Sequence, residues 1–338
     1  MKPTEGFPGR RRFLHALALA GATTAIGLES GPDAAQARPE TTRIRLPQHP
    51  GICTAPLYVA EALLRAEGFT VQYVKIPGAS HIYTTIAAGE TDIASAFIAP
   101  FAIQVEQGKP IVMLAGIHPG CYELFATNGV RSVRDLKGRR VSIPEHNGTH
   151  HLFIATILSH IGLDPRKDIV WVIQPPAESM RDLATGKIDA LVGFPPVPQE
   201  LRARKVGQVI LNSGADKPWS QYFCCVVASH RDFVRKNPIA TKHAVRALLK
   251  ANTLCATQPE QTARFLVDRG FTADYEYALQ AMREIPYARW SDFSTEDSVR
   301  YFALRLQETG YIKSSPKTIL AKGTDWRFLE ELKKELKV

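Results

Sequence analysis

Ten histidines and five cysteines are the side chains of this 338-residue protein best suited to binding or chemistry. Six of the histidines, His49, His81, His118, His146, His150 and His151, fall in short segments rich in Gly, Pro and small polar residues. Cys53 and Cys121 fall in the same segments. Neutral imidazole is a common metal ligand, and partly protonated imidazole suits a carboxylate or sulfonate. Metal ligands would have to converge from different loops, so no dedicated metal site and no cofactor is predicted. The cysteines, Cys53, Cys121, Cys224, Cys225 and Cys255, are odd in number and fit no disulfide framework and no C-x-x-C site. Cys224 and Cys225 are neighbours in an apolar run. On a strand they would point to opposite faces, which reads as two small buried residues. No G-x-S-x-G and no Ser-His-Asp arrangement is legible, so no catalytic residue is assigned.

The elements that must position these residues follow from periodicity. Strand-like stretches at 43–47, 69–76, 92–97 and 110–117 alternate with helix-like stretches at 56–68, 81–90 and 100–109. The rhythm restarts with a strand ending at 143, a helix at 150–162, a strand at 168–174, a helix at 179–187 and strands at 189–194 and 208–213. After YFCCVVAS (222–229) only helices follow, with Pro238 fitting the first turn of a long one and Ser294-x-x-Asp297 opening another. Alternation of this kind means α/β architecture with mostly parallel sheets, and a helical C-terminal segment packing back on an earlier half. The domain boundaries read as 42–127 for the first part of one lobe, 128–220 for the second lobe and 221–338 for the return strand and helices. The crossings are expected near Thr127–Gly129 and Pro218–Gln221. No internal repeat is legible.

In open α/β sheets ligands bind beyond the carboxyl ends of the strands. The loops there are Gln48–Ala55, Pro77–His81, Ser95–Pro100, Ile117–Cys121, Pro144–His151 and Gly193–Pro196. The candidate ligand-binding residues are therefore His49, Cys53, Thr54, Ser80, His81, Ser95, Phe97, His118, Asn147, Thr149, His150 and Phe194. Trp219 and Tyr222 join them beside the return crossing. Loops that feed helix N-termini suit an anion, and the aromatic residues suit a flat or apolar body.

The N-terminus carries a separate message. Arg10-Arg11-Arg12-Phe13-Leu14-His15, then an apolar run at 16–26, then Ala35-Gln36-Ala37, has the layout of a removable export signal of the twin-arginine form. The apolar run is too short to span a bilayer. Residues 1–37 are thus expected to be cleaved. The formal charge is +9, but the basic residues are dispersed with no aromatic-interleaved stripe, which argues against nucleic-acid binding.

The order of motifs resembles the solute-binding proteins of ABC importers, of the nitrate/sulfonate/taurine or NMT1/THI5-like type. The motifs are PLYVAEALLRAEG, TTIAAGETDIA (84–94), VRDLKGRRV (133–141), GKIDALVG (186–193) and YFCCVVASHRDFVRKNP (222–238). The resemblance implies a two-lobed periplasmic-binding-protein fold of type II with a cleft and hinge. It also implies a monomer in the periplasm that hands a small organic anion or heterocyclic compound to a permease and an ATPase. Two other readings stand beside it. One is a receptor for a metal ion or metal chelate that uses the loop histidines. The other is an enzyme like the thiamine-pyrimidine synthases, which carry a longer cysteine run than Cys224-Cys225.

Overall fold

The structure is a computed structural model that describes residues 38–49 and 51–338. The export signal at 1–37 lies outside the described residues. The first half runs β1 (Arg43–Gln48), α1 (Ala55–Ala66), β2 (Thr70–Lys75), α2 (His81–Ala87), β3 (Ile93–Phe97), α3 (Ile98–Glu106) and β4 (Ile111–Pro119). The second half runs β5 (Glu123–Ala126), β6 (Arg140–Ile143), α4 (Thr149–His160), β7 (Val170–Ile173), α5 (Pro176–Ala184), β8 (Ala190–Gly193), α6 (Val197–Ala203) and β9 (Gln208–Asn212). Strand β10 (Phe223–His230) returns to the first half. Helices α7 (Arg231–Lys236), α8 (Pro238–Thr257), α9 (Pro259–Asp268), α10 (Tyr275–Glu284), α11 (Thr295–Glu308), α12 (Pro316–Gly323) and α13 (Arg327–Leu336) follow.

The two halves repeat one sheet topology. In the second half the strand order is β7-β6-β8-β5-β9. In the first, β2 pairs with β1, and β3-β10-β4 form a second set. The Asp92 amide donates to the Arg45 carbonyl at 2.8 Å, which sets β1 beside β3. The order is then β2-β1-β3-β10-β4. In each half the fourth place is held by a strand arriving from the other half, β10 or β5, and it runs antiparallel to both neighbours. The sheets are mostly parallel, as expected, and each carries one crossing strand inserted against the direction of its hosts.

Two of the quoted motifs acquire a physical reason from this repeat. Asp92 accepts from the Arg45 amide at 2.7 Å and from its guanidinium at 2.6 and 3.1 Å. Asp189 accepts from the Arg140 amide at 2.8 Å and from its guanidinium at 3.1 Å. Each aspartate stands three residues after a glycine of positive φ, Gly89 at 68° and Gly186 at 71°. The glycine turns the chain out of a helix, and the aspartate clamps the new strand to the first strand of its sheet. The repeat lies in the fold, although no repeat is legible in the residues.

The chain crosses between halves earlier than the expected Thr127–Gly129. It does so at Gly120–Tyr122, because 123–126 form β5 and pair antiparallel with β8. Gly120 has φ +38° and lies against the backbone of Ser213 and Gly214, so a side chain has no room there. The helical segment contacts the first half. Buried Arg246 of α8 pairs with Glu67, just beyond α1, at 2.9 and 2.5 Å. Helix α11 seats its N-terminal turn on β4 and the crossing strand β10. Thr295 Oγ1 accepts the Gly116 amide at 3.0 Å and Ser298 Oγ accepts the Phe223 amide at 2.9 Å. No helix of the described residues is long and apolar enough to cross a membrane.

Candidate functional site

The carboxyl ends of the parallel strands of both halves face one another, and the loops beyond them touch. The Ile52 amide, after β1, donates to the Pro195 carbonyl, after β8, at 3.3 Å. Ser80, after β2, donates its hydroxyl to Glu145, after β6. A Cβ on Gly51 would lie 2.9 Å from the His49 ring and 3.6 Å from Phe194, so glycine lets the two loops approach. Thr54 Oγ1 closes its own loop onto the Gly51 carbonyl at 2.9 Å. The Tyr58 hydroxyl fixes the other side by donating to the His49 carbonyl at 2.8 Å.

Rings from both halves pack together where these loops meet, with Phe97, Tyr122 and Phe153 buried and His150 and Phe194 half-buried. Phe97 ends β3, Tyr122 lies at the crossing, Phe153 and His150 sit on α4, and Phe194 follows β8. Tyr122 and Phe153 stack with centroids 4.3 Å apart. Phe97 meets them edge-on at 5.5 and 5.9 Å. Phe194 lies 5.7 Å from Tyr122 and 5.1 Å from His150. Such pairs add about 0.5–1.5 kcal/mol beyond area burial, so the wall is stiff. Ser95 Oγ is buried and has no hydrogen-bond partner.

Helix α4 begins after Gly148 with no acidic residue in its first turn and no side-chain cap. The Glu145 side chain folds over it instead, so close that a Cβ on Gly148 would lie 2.6 Å from Glu145 Cγ. The anion seat expected at this N-terminus therefore has the protein's own carboxylate beside it. Burial lowers the His150 pKa to about 4. Burial and then repulsion from His146 lower His151 to about 4. Both rings are neutral at neutral pH. His151 Nδ1 accepts the Asn147 amide at 2.9 Å, so its Nε2 carries the proton and faces the Tyr311 hydroxyl at 3.1 Å.

Beneath the cleft lies a nest of sulfur that the residue pattern did not announce. Cys121 Sγ is 3.6 Å from Cys224 Sγ, and Cys224 Sγ is 3.9 Å from Cys225 Sγ. A His118 ring nitrogen, Cys121 Sγ and Cys225 Sγ all lie within 4.8 Å of one another. All five cysteines are free and buried. Neighbouring strand residues ordinarily face apart, yet both Cys224 and Cys225 reach the nest. The cause is a pair of register shifts against β4, between Phe223 and Cys225 and between Cys225 and Val226. Burial pushes the Cys121 and Cys224 thiols well up. The neighbouring Cys121, Cys224 and Cys53 side chains hold the Cys225 thiol well below the usual range.

A family model described as NMT1-like matches residues 37–267. The chain belongs to the NMT1-like family. A nitrate/nitrite binding protein NrtA from a Nostoc species is 24% identical over 144 residues, 42% of this chain and 32% of that relative. The chain spans 57% or less of the length of the curated relatives it matches. The crystal structure of the periplasmic nitrate-binding protein NrtA from Synechocystis PCC 6803 superposes with a TM-score of 0.73 at 19% identity, covering 89% of this chain and 91% of that one. The alkanesulfonate-binding protein SsuA from Xanthomonas axonopodis pv. citri, bound to MOPS, gives 0.67 at 16% identity, covering 85% and 99%. The fold is that of the periplasmic binding proteins, two-lobed and mixed α/β.

In this NMT1-like chain the sequence-predicted residues divide into groups. His49, Cys53, Thr54, Ser80, Ser95, Phe97, His118, Thr149, His150 and Phe194 lie in or directly beneath the cleft. His81 is exposed at the start of α2, and Asn147 is exposed with φ +59°. Asn147 lines a groove of about 580 Å³ at the cleft edge, with His146, His151, Arg166, Trp171 and Tyr311. Trp219 and Tyr222 form a different cluster. Trp219 lies 5.5 Å from His160, and Tyr222 stacks on Tyr301 at 4.2 Å. His160 ends α4, about 15 Å along the helix from His150 at 1.5 Å per residue. Residues gathered there that were not singled out are Glu145, Phe153, Cys224 and Cys225, beside Cys121 of the cleft loops and its neighbour Tyr122. Their only sequence signal is position at strand ends and crossings.

Proposed function

We propose that this protein is the periplasmic solute-binding component of an ABC import system, a binding protein rather than an enzyme. In this reading it works as a monomer, captures a small organic solute between its lobes by hinge closure, and presents it to a membrane permease driven by a cytoplasmic ATPase. The hinge is the pair of chain crossings that lead into β5 and β10, with α11 seated on β4 and β10 beside them. The observation that carries the reading is the aromatic wall of Phe97, Tyr122, Phe153 and Phe194 at the facing carboxyl ends of both sheets.

Of the ligand classes considered, a flat heterocyclic compound is favoured over a strongly charged oxyanion. The six cleft loops contain no lysine and no arginine. Glu145 sits at the N-terminus of α4, one of the helices that start from the cleft loops, and His150 is neutral. A heterocycle can stack on the rings, accept from peptide N–H groups and donate to Glu145. Among the described residues one loop histidine, His118, joins a group that could hold a metal ion, and its partners there are cysteines rather than the other loop histidines.

Native mass spectrometry of the exported protein, followed by calorimetric titration of the solute found, tests this. A bound heterocycle of a few hundred daltons supports it. Nitrate or sulfate as the tightest ligand overturns it.

A further inference from the structure

The sulfur nest goes beyond solute capture. His118 is fully buried, and its Nδ1 lies 3.2 Å from the Pro119 carbonyl. A carbonyl can only accept, so Nδ1 holds the proton and Nε2 carries the lone pair. That Nε2 is buried with no hydrogen-bond partner. An orphaned buried acceptor is costly, and native proteins rarely keep one without a use. Metal-bound histidines typically donate their other N–H to a backbone carbonyl, as His118 does.

Two sulfurs stand where such a lone pair can share a guest. Cys121 ends the crossing after β4, and Cys225 comes from β10 by way of the bulges. The three ligand atoms lie within 4.8 Å of one another, so modest side-chain rotations bring them to the spacing of ligands about 2.3 Å from one ion. Cys224 Sγ, 3.6 Å from Cys121 Sγ, supplies a further thiol beside the same point. No carboxylate belongs to the cluster, so a hard cation finds no suitable ligand there.

We propose that His118 Nε2, Cys121 Sγ and Cys225 Sγ form a buried site for one soft, thiophilic cation at the cleft floor. Monovalent copper fits the three-ligand nitrogen and sulfur set best, because soft thiolates select it. Divalent zinc prefers four ligands and would recruit Cys224 or Cys53. Binding displaces the two thiol protons to solvent, and no electron transfer is involved.

The test uses the purified full chain, reduced and metal-free, titrated with Cu(I) against a chromophoric Cu(I) chelator and separately with Zn(II) against a zinc indicator. One equivalent of Cu(I) held against the chelator, with sulfur and nitrogen scatterers in X-ray absorption, is the expected result. His118→Gln and Cys225→Ser should each weaken it at least tenfold, while Cys255→Ser, in α8, should leave it unchanged. If Cys225→Ser fails to fold, protection of the wild-type cysteines from alkylation by one equivalent of Cu(I) replaces it. Stoichiometric zinc lost in the same variants supports the site and reassigns its ion. No binding of either ion, or binding indifferent to His118→Gln, overturns the proposal. Neither assay depends on the organic solute, so its failure leaves the importer reading standing.

Discussion

Phe194 lies 5.1 Å from His150, with the two ring planes 34° apart; Phe194 follows β8, and His150 opens α4 after the neighbouring strand β6. Phe194 is only half-buried, so its ring is available to a guest while its removal leaves little void. Phe194→Ala should therefore weaken solute binding at least tenfold by calorimetry and leave the melting temperature within a few degrees. Unchanged affinity would remove the aromatic wall from the site.

Trp219 supplies the contrast. Its ring is buried against His160, at the end of α4 remote from the cleft. Trp219→Ala should lower stability by about 3–5 kcal/mol, the usual cost of emptying a buried aromatic site. Solute affinity should stay within about threefold, measured below the melting transition. A tenfold loss of affinity at full folding would return Trp219 to the ligand.

Much of the architecture was legible. Gly-x-x-Asp at 89–92 and again at 186–189 marks the same turn and clamp in each half, and apolar runs such as IVMLAG read as buried strands. Strand β5 was not legible, because ELFA is four residues long and earns its pairing only from β8 and β9. The sulfur nest was illegible for a related reason. It needs Cys121 and Cys225, which are 104 positions apart, brought together by a bulge, and strand alternation pointed the other way. The position of a loop histidine was easier to foresee than its protonation, which depends on packing from both halves.

The two halves are also latched on the α6 side. Arg202 donates to both Glu284 oxygens at 2.7 and 2.6 Å and is bonded to buried Glu123 as well. Glu284→Gln removes the ion pair to α10 but keeps the Glu123 partner and an oxygen that can accept from Gln199. Both latch groups are about a third or more exposed, so the stability change should stay below about 1 kcal/mol. Small-angle scattering should nevertheless show a larger radius of gyration in the solute-free variant. An identical scattering curve would mean that this ion pair does not hold the lobes.

Acid should destabilise the protein in a window set by its histidines. The folded pKa values of His150 and His151 are about 4, below the unfolded value of about 6.5. Above pH ~6.5 both states are neutral and nothing is gained or lost. Between ~6.5 and ~4 the unfolded chain binds more protons, so stability falls as pH falls, by at most about 1.4 kcal/mol per pH unit for one fully resisting histidine. His160 and His243, also lowered by burial, act in the same direction. Protonated His151 would place a hydrogen on Nδ1 and lose the Asn147 amide that now bonds there. His151→Asn offers an oxygen in place of Nδ1 and does not titrate. Urea unfolding at about pH 7 and about pH 5 should show the wild type losing more stability than this variant. An equal loss in both would place the acid sensitivity elsewhere than on His151.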